Sequence, residues 1–108
     1  MKIKQKYIYL VKLRKEVSKI SKTRPCLVVQ NNVLNKVLDT VIVIPLSSKI
    51  GERPGYQILI QKPFLQNKSH ILTNMITTVH KSVFTRKLGK INGLEFLWVK
   101  NCLQEIID

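Results

Sequence analysis

Two features of this chain could do chemistry on an anion. One is an arginine followed by proline, Arg24-Pro25; the other is a pair of small hydroxyls, Ser47-Ser48, ending an apolar run. A guanidinium presents a planar fork of N–H donors and keeps its proton at neutral pH, so beside a hydroxyl it clamps phosphate-like charge. Other catalytic templates fail. There is no Gly-rich phosphate loop, no GxSxG, no HExxH and no well-placed carboxylate pair. His70 and His80 are the two imidazoles of the chain. Cys26 and Cys102 form neither a CxxC nor a Cys/His ligand set, so no metal, cofactor or disulfide scaffold is expected. Free cysteines fit a reducing, cytoplasmic location.

The charge points the same way. The 108 residues carry 19 basic and 6 acidic side chains, a formal net charge of +13. Lys2, Lys4, Lys6, Lys12, Arg14, Lys15, Lys19, Lys22 and Arg24 crowd the first part of the chain against one acid, Glu16. From Leu94 onward there are Glu95, Glu105 and Asp108 against Lys100 alone. A basic excess concentrated at one side is the footprint of a surface that meets a polyanion: RNA, DNA, anionic lipid or an acidic protein tail. A solvated lysine-rich face is the plainer explanation, but solubility does not require +13.

The elements that must position these residues read mainly as strands. With 37 Ile, Leu and Val residues the chain has enough apolar surface to fold as one domain, 1–108. It has no apolar run long enough to span a membrane and no apolar leader at its charged start, so no membrane partner is expected. Residues 7–14 alternate as a strand, and 15–23 read as a loop closed by Arg24-Pro25 at a strand start. Cys26–Gln30 is a buried strand. Residues 33–39 are a link or one helical turn, and Thr40–Leu46 is the central strand. A turn-rich loop follows over 47–55, then strands at Tyr56–Gln61 and Ser69–Val79. Val99, Cys102, Leu103 and Ile106 recur at helical spacing behind Asn92 and Glu95, a capping-box pair, so the chain closes on an amphipathic helix. Phe96, Trp98 and Tyr9 are expected in the core. The fold class is α+β, mainly β: a small, strongly bent antiparallel barrel with a C-terminal helix.

Three segments in this order resemble a known family. Lys22-Thr23-Arg24-Pro25-Cys26-Leu27-Val28-Val29-Gln30-Asn31-Asn32 with Asn35, then Thr40-Val41-Ile42-Val43-Ile44-Pro45-Leu46-Ser47-Ser48, are similar to the signature of the MazF/PemK toxin endoribonucleases. Ser69-His70-Ile71-Leu72-Thr73-Asn74-Met75-Ile76-Thr77-Thr78-Val79-His80-Lys81 looks like that family's third strand. Leu88-Gly89-Lys90-Ile91 and the closing helix match its last part. The family's Gly-Asp opening is replaced near Gln5-Lys6.

The resemblance implies an SH3-like barrel that forms a homodimer. It implies metal-independent cleavage of single-stranded RNA, leaving a 2′,3′-cyclic phosphate and a 5′-hydroxyl, and neutralisation by an acidic antitoxin protein. The family's essential arginine falls on Arg24, read here as clamp and leaving-group donor, and its hydroxyl on Ser47, donor to a phosphate oxygen. RNA contacts are expected from Lys19, Lys22, Thr23, Ser48, Lys49, Thr77 and His80. The family's acid before the arginine is Lys19 here, its Gln is Met75 and its strand Arg is Thr77. His80 stands where the family has Asp and could serve as a base. Two alternatives share the fold: a gyrase poison like CcdB, whose Trp-Gly-Ile tail this chain lacks, and a catalytically weak RNA-binding barrel.

Overall fold

The computed structural model describes residues 1–13, 22–49 and 57–108. Most of the loop expected over 15–23, the end of the loop over 47–55, Lys19 and Tyr56 fall outside these residues. Seven strands are β1 (Tyr7–Leu13), β2 (Lys22–Val28), β3 (Thr40–Ser47), β4 (Gln57–Ile60), β5 (Ser69–Leu72), β6 (Thr77–His80) and β7 (Phe84–Lys90). Among the described residues the two α-helices are α1 (Asn32–Val37) and α2 (Gly93–Ile107). The antiparallel sheet runs β4-β5-β3-β2-β1-β7, with β6 also paired to β3. No helix among the described residues is long and apolar enough to cross a membrane.

Strand alternation makes two cores. Ile8, Leu27, Ile44, Leu46 and Ile71 point to one face, where Phe96 and Val99 of α2 cover them. Tyr9, Val11, Cys26, Val28, Val41 and Val43 point to the other. β3 is thus apolar on both sides, as its near-continuous run of β-branched residues requires.

Three departures from the expected elements have local causes. Arg24-Pro25 lies inside β2, not at its start, because β1 runs alongside it as far as Leu13↔Lys22. Pro25 is tolerated there because β2 pairs with β3 only from Cys26 onward, so its missing N–H interrupts no β3 ladder. The single strand expected over Ser69–Val79 is two strands on one edge of β3, split by a 3-10 turn at Thr73–Met75. β7 was not expected. Its pattern is dominated by exposed Thr85, Arg86 and Lys87, and its partner β1 supplies the order that its own residues do not signal.

The capping box forms as anticipated: Asn92 Oδ1 accepts from Glu95 N–H, and Glu95 Oε1 accepts from Asn92 N–H, both at 2.8 Å. Trp98 is not core. It is 45% exposed, while Phe96 and Val99, on the inward side of the helix, are buried. Tyr9 is fully buried as expected.

The Gln30-Asn31-Asn32 stretch with Asn35 ties the end of β2 to the start of β3. Gln30 Nε2 donates to Asn35 Oδ1 and to the Thr40 carbonyl, each at 2.9 Å. Asn35 Nδ2 donates back to the Gln30 carbonyl at 2.9 Å. Asn31 caps α1 by accepting from Leu34 N–H. A turn at Lys6, whose φ of 75° lies in the left-handed region, leads into β1. The Lys6 N–H donates to the Val28 carbonyl, and Ile91 N–H donates to the Lys6 carbonyl, which holds that conformation.

Gly89 of β7 is where a Cβ would overlap the Phe64 ring. Phe64 packs on the α2-side core, so Gly89→Ala forces that ring out of place. Overpacking of this kind costs about 1–3 kcal/mol. A urea denaturation curve should show the lowered midpoint; an unchanged midpoint would mean the ring does not depend on this close approach.

Candidate active site

The β2–β3 register pairs Val28 with Val43, Leu27 with Ile44 and Cys26 with Pro45, and stops there. Beyond that pair neither Pro25 nor Pro45 has an N–H to offer. Continued by two residues, the same register carries Arg24 opposite Ser47. Both are then on one face of the sheet, in phase with Cys26 and Pro45. The paired ladder ends before Arg24 and Ser47, and both residues line one cleft. On its far side Ser47 is paired with His70, and on its far side Arg24 is paired with Val11. Arg24, Ser47 and His70 therefore form one row across three strands.

Ser47 is 5% exposed. Its Oγ accepts a hydrogen bond from Lys49 N–H at 3.2 Å, which leaves the hydroxyl proton to donate elsewhere. Among the described residues, the buried side-chain polar atoms with no hydrogen-bond partner are Arg24 Nε and both ring nitrogens of His70. They belong to the two residues that flank Ser47. Buried polar atoms are satisfied in the great majority of cases, so this row is held ready rather than saturated. The thiol in phase with Arg24, that of Cys26, is no nucleophile. Burial pushes its pKa up to about 12, although the Arg24 charge acts in the opposite direction.

Arg24 and Ser47 open into a cleft of about 430 Å³. Thr23, Ser48, Lys49 and Arg86 line it with them, and Leu10, Phe64 and Leu88 form apolar walls. Among the described residues the lining holds no carboxylate and presents three cationic side chains. Of the residues singled out from the sequence, Arg24, Ser47, Thr23, Ser48 and Lys49 come together here. Lys22 opens β2 one residue before Thr23. Thr77 and His80 do not join them. They pair with Val43 and Thr40, four and seven residues before Ser47, or about 13 and 23 Å away at 3.3 Å per residue. His80 is also engaged locally: its Nδ1 accepts from Ser82 N–H at 3.1 Å, capping a 3-10 turn. It is thus far from the site where a base would act. Arg86 was missed. It is opposite Leu10, which is opposite Pro25, so only the β7-β1-β2 order brings it to the cleft. Among the described residues no group of three or more His, Cys, Asp or Glu is gathered to hold a metal.

Because the thiolate is the reactive form of cysteine, Cys26 should resist alkylation at pH 8 in native protein and label fully once denatured. Peptide mass spectrometry reads the difference. Rapid native labelling of Cys26 would contradict the closed β1-β2-β3 packing beneath the row.

The fold has counterparts among known proteins. The chain resembles MazF from Deinococcus radiodurans with a TM-score of 0.85 at 14% identity, covering 99% of this chain and 97% of that one. The Mycobacterium tuberculosis toxin MazF-mt6 gives 0.80 at 16% identity, covering 94% and 96%. A mycobacterial endoribonuclease solved in complex with its cognate antitoxin gives 0.81 at 17% identity, covering 97% and 94%. At these identities the likeness speaks for the fold. No curated protein matches in sequence. A family model described as PemK-like, MazF-like toxin of type II toxin-antitoxin system matches residues 4–107, and the chain belongs to that family.

Proposed function

We propose that this toxin is an endoribonuclease that cuts single-stranded RNA without a metal ion, leaving 2′,3′-cyclic phosphate and 5′-hydroxyl ends. The observation that carries the reading is that Arg24 and Ser47 line one cleft, whose described residues present three cationic side chains and no carboxylate. Internal transesterification of RNA needs no cofactor. The 2′-hydroxyl gives its proton to water as its oxygen attacks the adjacent phosphorus, and charge builds on the non-bridging oxygens of a pentacoordinate phosphorane. The P–O5′ bond breaks as the 5′-oxygen takes a proton from water, so no net proton is consumed. Arg24 meets that charge with paired N–H donors and delivers a hydrogen bond to the leaving oxygen. The Ser47 hydroxyl donates to a second phosphorane oxygen, its own orientation fixed by the Lys49 N–H. Thr23, Ser48, Lys49 and Arg86 hold the flanking backbone. Leu10 and Leu88, with Phe64, give the bases an apolar wall.

The same cleft suits an acidic antitoxin segment, since a carboxylate-rich chain is attracted by the charges that hold phosphate. That antitoxin and a second copy of the toxin are the expected protein partners, in the cytoplasm.

The test is incubation of purified protein with a long single-stranded RNA in EDTA and chemical mapping of the ends. Arg24→Ala should abolish cutting with an unchanged circular dichroism spectrum. Ser47→Ala should slow it by about two to three orders of magnitude, the effect of removing one transition-state donor, and Ser47→Thr should restore much of it. Ser48→Ala is the neighbouring control. If Ser48→Ala does the damage and Ser47→Ala none, the hydroxyl is misassigned. Supercoiled-DNA trapping that requires gyrase would favour the gyrase-poison alternative, and RNA binding without cutting the weak-barrel one.

A further inference from the structure

A second concavity, of about 410 Å³, lies at the opposite end of β3 from Ser47. Lys2 and Lys4 line it from the N-terminal segment, Asn32, Asn35 and Lys36 from α1, and Lys81 from the turn after β6. The Lys81 N–H donates to the Asp39 carbonyl, which fixes this turn beside the start of β3. Asp39 itself is not part of the lining. Among the described residues none of the four lysines is in an ion pair.

This cluster of like charges is held in place by the fold. The hydroxyl of Tyr9, a fully buried residue, donates to the Lys2 carbonyl at 3.1 Å and accepts from Lys4 N–H at 2.9 Å. Ile3 between them is turned into the core. Asn32 Oδ1 accepts from Gln5 N–H at 2.8 Å and from Asn35 Nδ2 at 3.3 Å, which joins the segment to α1. Chain ends are poorly ordered unless tied down, and this one is tied at three points. Four ammonium groups converging on one concavity repel each other and favour an anion between them.

We propose that this cleft is a second phosphate-binding site, which grips the backbone of the RNA strand several nucleotides from the cut. Only the identity of the strand rests on the nuclease reading. The lining favours phosphate over an acidic protein segment. Apart from the four lysines it offers two asparagines and, as apolar contacts, Met1 and the little-exposed Ile3. Peptide recognition relies on apolar anchors as well as charge. The two clefts are separated by the length of β3, about 23 Å for seven steps at 3.3 Å. A strand must extend well past the scissile step to fill both, and then gains from linked binding.

The test uses Lys4→Glu/Lys36→Glu, with Lys90→Glu/Lys100→Glu as a control of equal charge change away from the cleft. In an Arg24→Ala background, which keeps the RNA intact, binding of a strand of about 30 nucleotides should weaken about tenfold or more with the cleft pair. The slope of log K against log salt should become shallower by about 1.4, for two contacts at about 0.7 each. The control pair should cost clearly less. With Arg24 present, kcat/KM on a short substrate that fills only the first cleft should stay within about twofold, since mere misfolding would lower it. Lys4→Gln/Lys36→Gln should give a smaller loss in the same direction. Unchanged affinity and slope for the long strand overturn the proposal, as does an equal loss in the control pair. Loss of binding to a poly-glutamate peptide with RNA binding retained also overturns it and assigns the cleft to an acidic protein. Failure of the parent protein to cut RNA would sink the nuclease reading and leave the binding comparison standing.

Discussion

Everything at the first cleft depends on the register between β2 and β3. A slip of one residue in an antiparallel pair turns every side chain to the other face. Such a slip here would turn Ser47 over and leave Arg24 without it. Three restraints prevent this. β3 is apolar on both faces, so either shift would break two cores at once. The Gln30–Asn35–Thr40 hydrogen bonds lock the connection at the other end of the pair. Pro25 and Pro45 end the ladder where the strands must part to make a cleft.

The row held by this register violates a rule that the other described residues obey. Arg24 Nε and the His70 ring nitrogens are buried without partners, an arrangement that ordinarily costs about 1–3 kcal/mol per group. Cationic side chains line two clefts, and among the described residues neither lining holds an acid. Of the described acids, Glu95 caps α2 and pairs with Lys62 at 2.7 Å, and Glu105 and Asp108 lie at the end of the same helix.

Much of this was legible in the residues. The alternation of β1, the apolar run of β3 and the capped helix α2 each announce themselves, because burial and capping are local in sequence. Arg24 and Ser47 were legible through the resemblance, and Arg-Pro and Pro-Leu-Ser are the junctions where the structure ends its ladder. Arg86 was not legible, because its place depends on a pairing between residues 76 positions apart, Leu10 and Arg86. The break at Thr73–Met75 was hidden because the β-branched residues on both sides of it favour strand equally. Thr77 and His80 were expected to contact RNA because they match positions in the family's third strand. That break and the length of β3 place Thr77 at mid-strand and His80 at the other end.

The central claim is that Arg24 and Ser47 act as one unit on one phosphate, and a double-mutant cycle on the cleavage rate tests it most directly. Arg24→Lys, which keeps the charge but not the planar fork, and Ser47→Ala are combined, and single-turnover rates are compared with each alone at fixed RNA length and salt. If the two side chains serve one transition state, the double variant is about as slow as the slower single variant. If the two effects instead multiply to the product of the singles, the residues act independently, and the row across β2 and β3 is not the active site.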